Sequence, residues 1–380
     1  KELNELSPAI ALVLPCHARD LDSPVLAAIL EELTQTRFIR HVIVGLDGAD
    51  ETQYHFARSL FQNLPQETAI LWNDGPRMSA IITQLNDAGM DPGARGKGRN
   101  MRLCFGYALS ATDAPFVAVH DCDIVNYRRE MLARLCFPVA HPEMAFEVSK
   151  GFSARFSDRL NGRVMRLLIS PLLRAMEEWD GFPSTLGSLQ NFRYPISGEV
   201  CLHRRVVREI RFPSDWGVET GMMSDVFRLC APHRVCQVDI AETYDHKHQD
   251  LSEKDPLGGL NKMACDVTLC LLRTISAGST IPVSIDAKKL VPNYLRVARE
   301  MMRFYAADAR INLLQYDYAL EDQTATMFAS AIDRAISIFS NTPYQPPGAP
   351  GWSEIEERLS GTASAIAEAV RLDADQADRV

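Results

Sequence analysis

Val117-Ala118-Val119-His120-Asp121-Cys122-Asp123-Ile124-Val125 is the stretch that decides the fold. An apolar, β-branched run stops at two carboxylates one residue apart. Side chains at i and i+2 of an extended segment point the same way, so Asp121 and Asp123 project together from the end of a buried strand. Such a pair suits a hard divalent cation, which takes oxygen ligands and shares them with a diphosphate. A strand end followed by a solvated turn produces the same triplet, so the neighbouring segments have to discriminate.

Upstream, residues 9–14 form a continuous apolar run closed by Pro15, read as a buried parallel strand. Asp22 and Ser23 cap the next helix, with Pro24 in its first turn and Val25, Ile29, Leu30 and Leu33 at helical spacing. A second strand over 41–46 ends in Asp47-Gly48-Ala49-Asp50, followed by a helix over 51–64 and a strand over 68–72. This alternation predicts a mostly parallel α/β sheet flanked by helices. Ligands of such sheets sit beyond the carboxyl ends of the strands, where Asp47 and Asp121 both fall.

Between the third strand and the acidic pair lies Asp91-Pro-Gly-Ala-Arg-Gly-Lys-Gly-Arg-Asn100, a basic loop before a helix over 101–109. Its glycines let backbone N–H groups approach a phosphate, and Lys97 beside Gly96 adds a point charge. The spacing is not that of a Walker A loop, and a plain surface loop has the same composition. Downstream, residues 146–150 and 200–202 read as short strands, 159–179 as a helix that Pro171 kinks, and 235–240 as a further strand. Glu219 precedes an apolar helix over 222–229, where it is either a helix-dipole partner or an acid of the site. Beyond 257 the pattern is helical, over 290–305 and 326–339 and in a last helix that Ser353 and Glu356 open as a capping box.

The chain has 380 residues, 46% of them hydrophobic and 23% charged, ordinary for a globular protein with a substantial core. A formal charge of −9 argues against a nucleic-acid partner, since binding a polyanion relies on neutralising phosphates. There is no apolar run of membrane-spanning length and no signal-peptide pattern. The nine cysteines stand singly, as expected of buried free thiols in a cytoplasmic protein.

With these elements in place, the chain resembles the glucosyl-3-phosphoglycerate synthases and their mannosyl-using relatives, retaining glycosyltransferases of the GT-A fold. The matching segments run in the same order over residues 9–275. Arg-Gly-Lys-Gly at 95–98 resembles that family's P-G-K-G, and Asp121-Cys122-Asp123-Ile124-Val125-Asn126 its D-S-D-L-I-N. Gly162-Arg163-Val164 with Pro171-Leu172-Leu173 resembles its G-R-V and P-L-L. Ser197-Gly198-Glu199, Trp216-Gly-Val-Glu-Thr-Gly221 and Asp245-His246 resemble its G-G-E, Y-G-V-E-I-G and E-H.

The resemblance implies a Mg2+ or Mn2+ site made by Asp123 and His246 with Asp121. It implies a donor site, for a nucleotide diphosphate sugar, along Pro15, Asp47, Gly96, Lys97, Asp121, Cys122, Gly198 and Glu199. Asp123, Lys97 and Glu219 would serve catalysis. Arg163, Val164 and His248 would hold a small anionic hydroxyacid, 3-phosphoglycerate or glycerate, arginine being suited to bidentate contact. Arg159 and Arg166, four before and three after Arg163, would share its helix face.

Some residues depart from the family. Its P-A-L-[DN]-E-E is Pro15-Cys16-His17-Ala18-Arg19-Asp20 here, its L-D-S-G is Leu46-Asp47-Gly48-Ala49, and Met165 and His248 replace a threonine and an asparagine. The first two departures leave the nucleotide base, UDP or GDP, open, and the last two leave the acceptor, 3-phosphoglycerate or glycerate, open; the sequence does not name the sugar, glucose or mannose. The expected organisation is a nucleotide-sugar-binding α/β region over 1–150, an acceptor-binding part over 151–280 and a helical region over 281–380, assembled as a homodimer. The rival readings are a nucleotidyltransferase on a similar sheet, or a silent sugar-nucleotide-binding protein.

Overall fold

The computed structural model describes residues 2–6, 8–154, 158–178, 184–242, 258–279 and 283–378. Seven strands form one sheet: β1 Ile10–His17, β2 Ile39–Asp47, β3 Glu67–Trp72, β4 Phe116–Val119, β5 Val148–Ser153, β6 Val200–His203 and β7 Val235–Ala241. Their order is β3-β2-β1-β4-β6-β5-β7. All run in one direction except β6, which is antiparallel to both β4 and β5.

The unbroken apolar run of β1 has a direct cause. Ala11 and Val13 enter one core, while Ile10, Leu12 and Leu14 enter the other on the opposite face. A strand buried on both faces has no polar positions to alternate. The reversal of β6 matters for the site. Val119, last in β4, pairs with Val200, first in β6, so the segment leading into β6 arrives beside Asp121. β5 crosses residue 150, so the sheet joins the first two regions of the expected division.

Local signals explain several helix starts. Ser23 Oγ accepts from the Val25 amide, with Pro24 first in the helix Pro24–Thr34. Asp50 and Gln53 form a capping box on Glu51–Phe61. One helix was not expected, and two expectations need correction. A helix over Pro76–Asp87, opened by Gly75 and a first-turn proline, went unread in the sequence. The helix expected over 159–179 starts only at Arg163, and Arg159 lies before it in an isolated bridge to Gln315.

Within that helix a π-turn over Met165–Ile169 precedes Ser170–Glu177. Pro171 has no N–H for the Leu167 carbonyl, and the buried Tyr294 hydroxyl donates to that oxygen at 2.5 Å instead. The last helix is two, Trp352–Arg358 and Thr362–Ala377, parted by Gly361 at φ 87°. Glu356 caps the second of these through the Gly361 and Ala363 amides, while Ser353 bonds Glu209.

The C-terminal region returns to the helix Lys97–Ala111. Trp352 seats its ring over Gly106, where any Cβ would overlap it, and its indole donates to the Arg102 carbonyl at 2.9 Å. Arg102 is wholly buried, donating to the Pro350 and Phe212 carbonyls with its guanidinium 4.6 Å from the Phe212 ring centroid. A buried tryptophan removes about 200 Å² from water, on the order of 5 kcal/mol before entropy is subtracted. This docking braces the helix whose first residue is Lys97.

Candidate active site

Four separate segments converge at the carboxyl end of β4. Asp121 and Asp123 lie on the turn after the strand, and Lys97 opens its helix. Glu219 sits in the first turn of the helix Val218–Leu229, and Gly198 and Glu199 lead into β6. Lys97 Nζ stands 2.5 Å from Asp121 Oδ1 and 2.8 Å from Glu219 Oε1. Burial works against that charge, yet the two carboxylates hold the Lys97 pKa well above the ordinary lysine value. Gly198 is pressed onto Asp121, and a Cβ there would fall on the carboxylate.

The glycine loop does more than approach a phosphate. The Gly98 amide donates to the Ser214 carbonyl at 3.1 Å. A Cβ on Gly96 would meet the same carbonyl, and one on Gly98 the Pro213 carbonyl. These glycines let the 95–98 loop lie flat on the segment that runs on to Glu219, which is why Lys97 and Glu219 meet. The Gly98 N–H is therefore engaged within the protein.

Burial, and then the Asp121 carboxylate, push the Asp123 carboxyl up to about 6. Lys150 on β5, a residue the sequence reading passed over, belongs to the same cluster. Its side chain is buried and donates to the Ser197 carbonyl. Burial pushes its pKa down to about 8, against the pull of Glu219 and Glu199. Four carboxylates, Asp121, Asp123, Glu199 and Glu219, thus face two ammonium groups, Lys97 and Lys150. This surplus of negative charge on hard oxygen donors fits a divalent cation. Among the described residues, no three His, Cys, Asp or Glu side chains group closely enough to enclose an ion. The arrangement is compatible with an open site, for which Asp121 and Asp123 on the turn after β4 would be the protein's oxygen donors. His246 and His248 lie outside the described residues.

Cys122 turns away from this cluster. It is buried in the same core as Cys16, so any contact it makes with a donor is through its backbone. On the β1–β2 side, Pro15 pairs with Gly45. Asp47 is buried and accepts from Asn73 Nδ2 at 2.8 Å, and burial raises its pKa. The His17 ring covers Gly48, at φ 72°, whose amide donates to Asp74 Oδ2 at 2.5 Å. Asn73 and Asp74 gave no signal in the sequence, and His17 stood there only within the segment that departs from the family, because only the ends of β1, β2 and β3 bring the three together.

The expected arginine face divides. Arg159 is exposed and pairs with its neighbour Asp158. Arg166 forks onto both Glu321 oxygens at 2.6 Å, with side chains only 12% and 10% exposed, so it ties the C-terminal helix Tyr318–Asn341 to this one. Arg163 is half-buried and makes no hydrogen bond or ion pair with another described residue. Burial lowers its pKa, and Val164 beside it is in the core. Of the three, only Arg163 has no ion-pair partner among the described residues.

The chain is 35% identical over 364 residues to glucosyl-3-phosphoglycerate synthase of Persephonella marina, covering 96% of this chain and 90% of that one. The chain belongs to the glucosyl-3-phosphoglycerate synthase family. The synthase of Methanococcoides burtonii is 30% identical, with 89% and 84% covered. No protein-family model matches the chain. The fold is that of a glucosyl-3-phosphoglycerate synthase from Mycobacterium tuberculosis, solved with Mn2+, uridine diphosphate and phosphoglyceric acid. That comparison has a TM-score of 0.53 at 21% identity, over 75% of this chain and 84% of that one. The synthase family is one of glycosyltransferases, so the GT-A expectation and the helical C-terminal region hold. No helix among the described residues is long and apolar enough to cross a membrane.

Proposed function

We propose that this protein transfers glucose from UDP-glucose to the hydroxyl of 3-phosphoglycerate, with retention at the anomeric carbon and dependence on Mg2+ or Mn2+. The observation that carries the reading is Lys97 held between Asp121 and Glu219 where the parallel strands end. An ammonium so fixed is ready for a diphosphate, and the metal-ligating carboxylates stand beside it. Relatives bearing the synthase name span nearly the whole chain, and structures of another synthase, from Mycobacterium tuberculosis, were solved with UDP-glucose and phosphoglyceric acid. Glycerol 3-phosphate also appears in one such complex.

When bound, the ion stabilises negative charge on the departing diphosphate. Lys97 donates to the same group, a preorganised charge that needs no rearrangement during reaction. Glu219 holds Lys97 and borders the reacting centre. Gly198 and Glu199 form the wall along the sugar. Arg163 anchors the acceptor's anionic end, and the acceptor attacks from the face the diphosphate leaves. The bond from the anomeric carbon to the phosphate oxygen breaks as the bond to the acceptor oxygen forms. The acceptor proton passes to the leaving oxygen.

The test is a matrix of UDP- and GDP-glucose and mannose against 3-phosphoglycerate and glycerate, with products identified by mass and anomeric configuration by NMR. UDP-glucose with 3-phosphoglycerate should give the α-linked product, and Asp123→Ala should remove it while leaving the fold intact. Absence of product from every pair, or full Asp123→Ala activity in excess chelator, overturns the proposal.

A further inference from the structure

We infer that Lys150 is a positioning residue for transfer, clamping the Ser197–Glu199 turn so that the wall beside the donor sugar is fixed against Asp121. The inference rests on the sugar-nucleotide reading above.

Three bonds tie the middle of β5 to this turn. Lys150 Nζ donates to the Ser197 carbonyl, and Ser197 Oγ donates to the Gly151 carbonyl at 2.5 Å. The Gly151 amide in turn donates to the Glu199 carbonyl at 3.0 Å. Strand pairing of β5 with β6 starts only at Lys150 and Val200, so these bonds hold residues that precede the ladder. Gly198 sits inside the clamp and touches Asp121, so any drift of the turn moves the wall against the acidic pair.

Folding alone does not call for an ammonium here. A neutral donor would satisfy one carbonyl, and an apolar side chain of equal length would fill a 2% exposed position without desolvating a charge. Burial indeed works against the Lys150 charge more than Glu219 and Glu199 favour it. A charge kept where it does not favour the fold, between carboxylates that face the site, points to function.

The experiment compares Lys150→Met, which removes donor and charge, with Lys150→Gln, which keeps a donor for the Ser197 carbonyl. Four quantities are read: Tm, kcat and KM for both substrates, calorimetric affinity for UDP and for UDP-glucose, and amide hydrogen exchange over residues 196–199. Both variants should melt within a few degrees of wild type. Lys150→Met should lower kcat about tenfold or more, since small misplacements at a reacting centre cost that much. It should weaken UDP-glucose relative to UDP and speed exchange in the turn, and Lys150→Gln should recover part of each loss.

Unchanged kcat with a lowered Tm, or equal weakening of UDP and UDP-glucose, makes Lys150 structural and overturns the inference. If Lys150→Met does not fold, Lys150→Gln is judged by the same criteria. A wild-type protein that transfers no sugar refutes the functional reading instead. The exchange of the turn still decides the clamp in that case, and unchanged exchange in the variants refutes it.

Discussion

Lys97 offers the sharpest quantitative check. Its ammonium is 2.5 Å from Asp121 and 2.8 Å from Glu219, with side chains 23%, 27% and 13% exposed. At 2.8 Å and an effective dielectric constant near 20, one such pair has a gross attraction of about 6 kcal/mol. Desolvation of the ammonium offsets much of this, so the net coupling of neighbours in such a network is about 1–3 kcal/mol. Toward a bound diphosphate the same ammonium makes a charge-assisted bond of about 1.5–3 kcal/mol. Lys97→Met should therefore weaken UDP-glucose roughly ten- to a hundredfold by calorimetry, with acceptor binding little changed. The partner variant, Glu219→Gln, should keep its Tm near wild type and lower kcat. In the double variant the two effects should fail to add by about 1–3 kcal/mol, because Glu219 aims the ammonium. Unchanged donor affinity in Lys97→Met, or strict additivity, would refute the bridge as the organising contact.

Gly198→Ala should fold but lose most activity, since its methyl would displace Asp121; overpacking of this kind costs about 1–3 kcal/mol, and an active variant with unchanged kcat contradicts the placement. Arg163→Ala should raise the acceptor KM with little change in Tm. Arg166→Ala, which strands the buried Glu321, should lower stability by about 3–5 kcal/mol in denaturant titrations; the reverse pattern would exchange their roles. The pH dependence of Lys150 has a defined sign. Its folded pKa of about 8 lies below the ordinary 10.5, so between these values the unfolded chain binds more protons and rising pH favours the fold, by at most about 3 kcal/mol. Buried thiols such as Cys270, raised to about 12, act oppositely above pH 9, so the measurement is the difference in Tm between wild type and Lys150→Met across pH 8–10.5. A flat difference would show that Lys150 is not a buried cation.

Patterns that repeat along the chain were legible without the structure. The apolar runs of β1, β2 and β4 and the acidic pair at the end of β4 announce a parallel sheet with its ligands at one edge. Burial on both faces leaves a continuous signature in adjacent residues. Ser23, Pro24 and Asp50 mark helix starts for an equally local reason, since a cap bonds amides two or three residues away. Glu356 misled because its carboxylate reaches forward to cap the following helix, a choice made by Gly361 and its left-handed backbone.

The site itself was legible only in part. Lys97, Asp121, Gly198 and Glu219 stood out as residue types, but their sequence positions do not say that one ammonium bridges two of the carboxylates while a glycine presses on one of them. That follows from the reversal of β6 and from glycines 96 and 98 lying flat on Pro213 and Ser214. Lys150 had no local signature, because a lysine in a short strand reads as an exposed position until the Ser197 carbonyl and the carboxylates of Glu199 and Glu219 gather near it. Arg163 and Arg166 are equivalent in sequence, and only the arrival of Glu321 from a distant helix pairs one of them and leaves the other without a partner among the described residues. The sequence by itself determined the sheet, its direction and the acidic edge, because those depend on burial periodicity and short-range caps. Tertiary structure alone decided which charges meet, because a Coulomb contact depends on distance in space, and here its partners come from different secondary-structure elements.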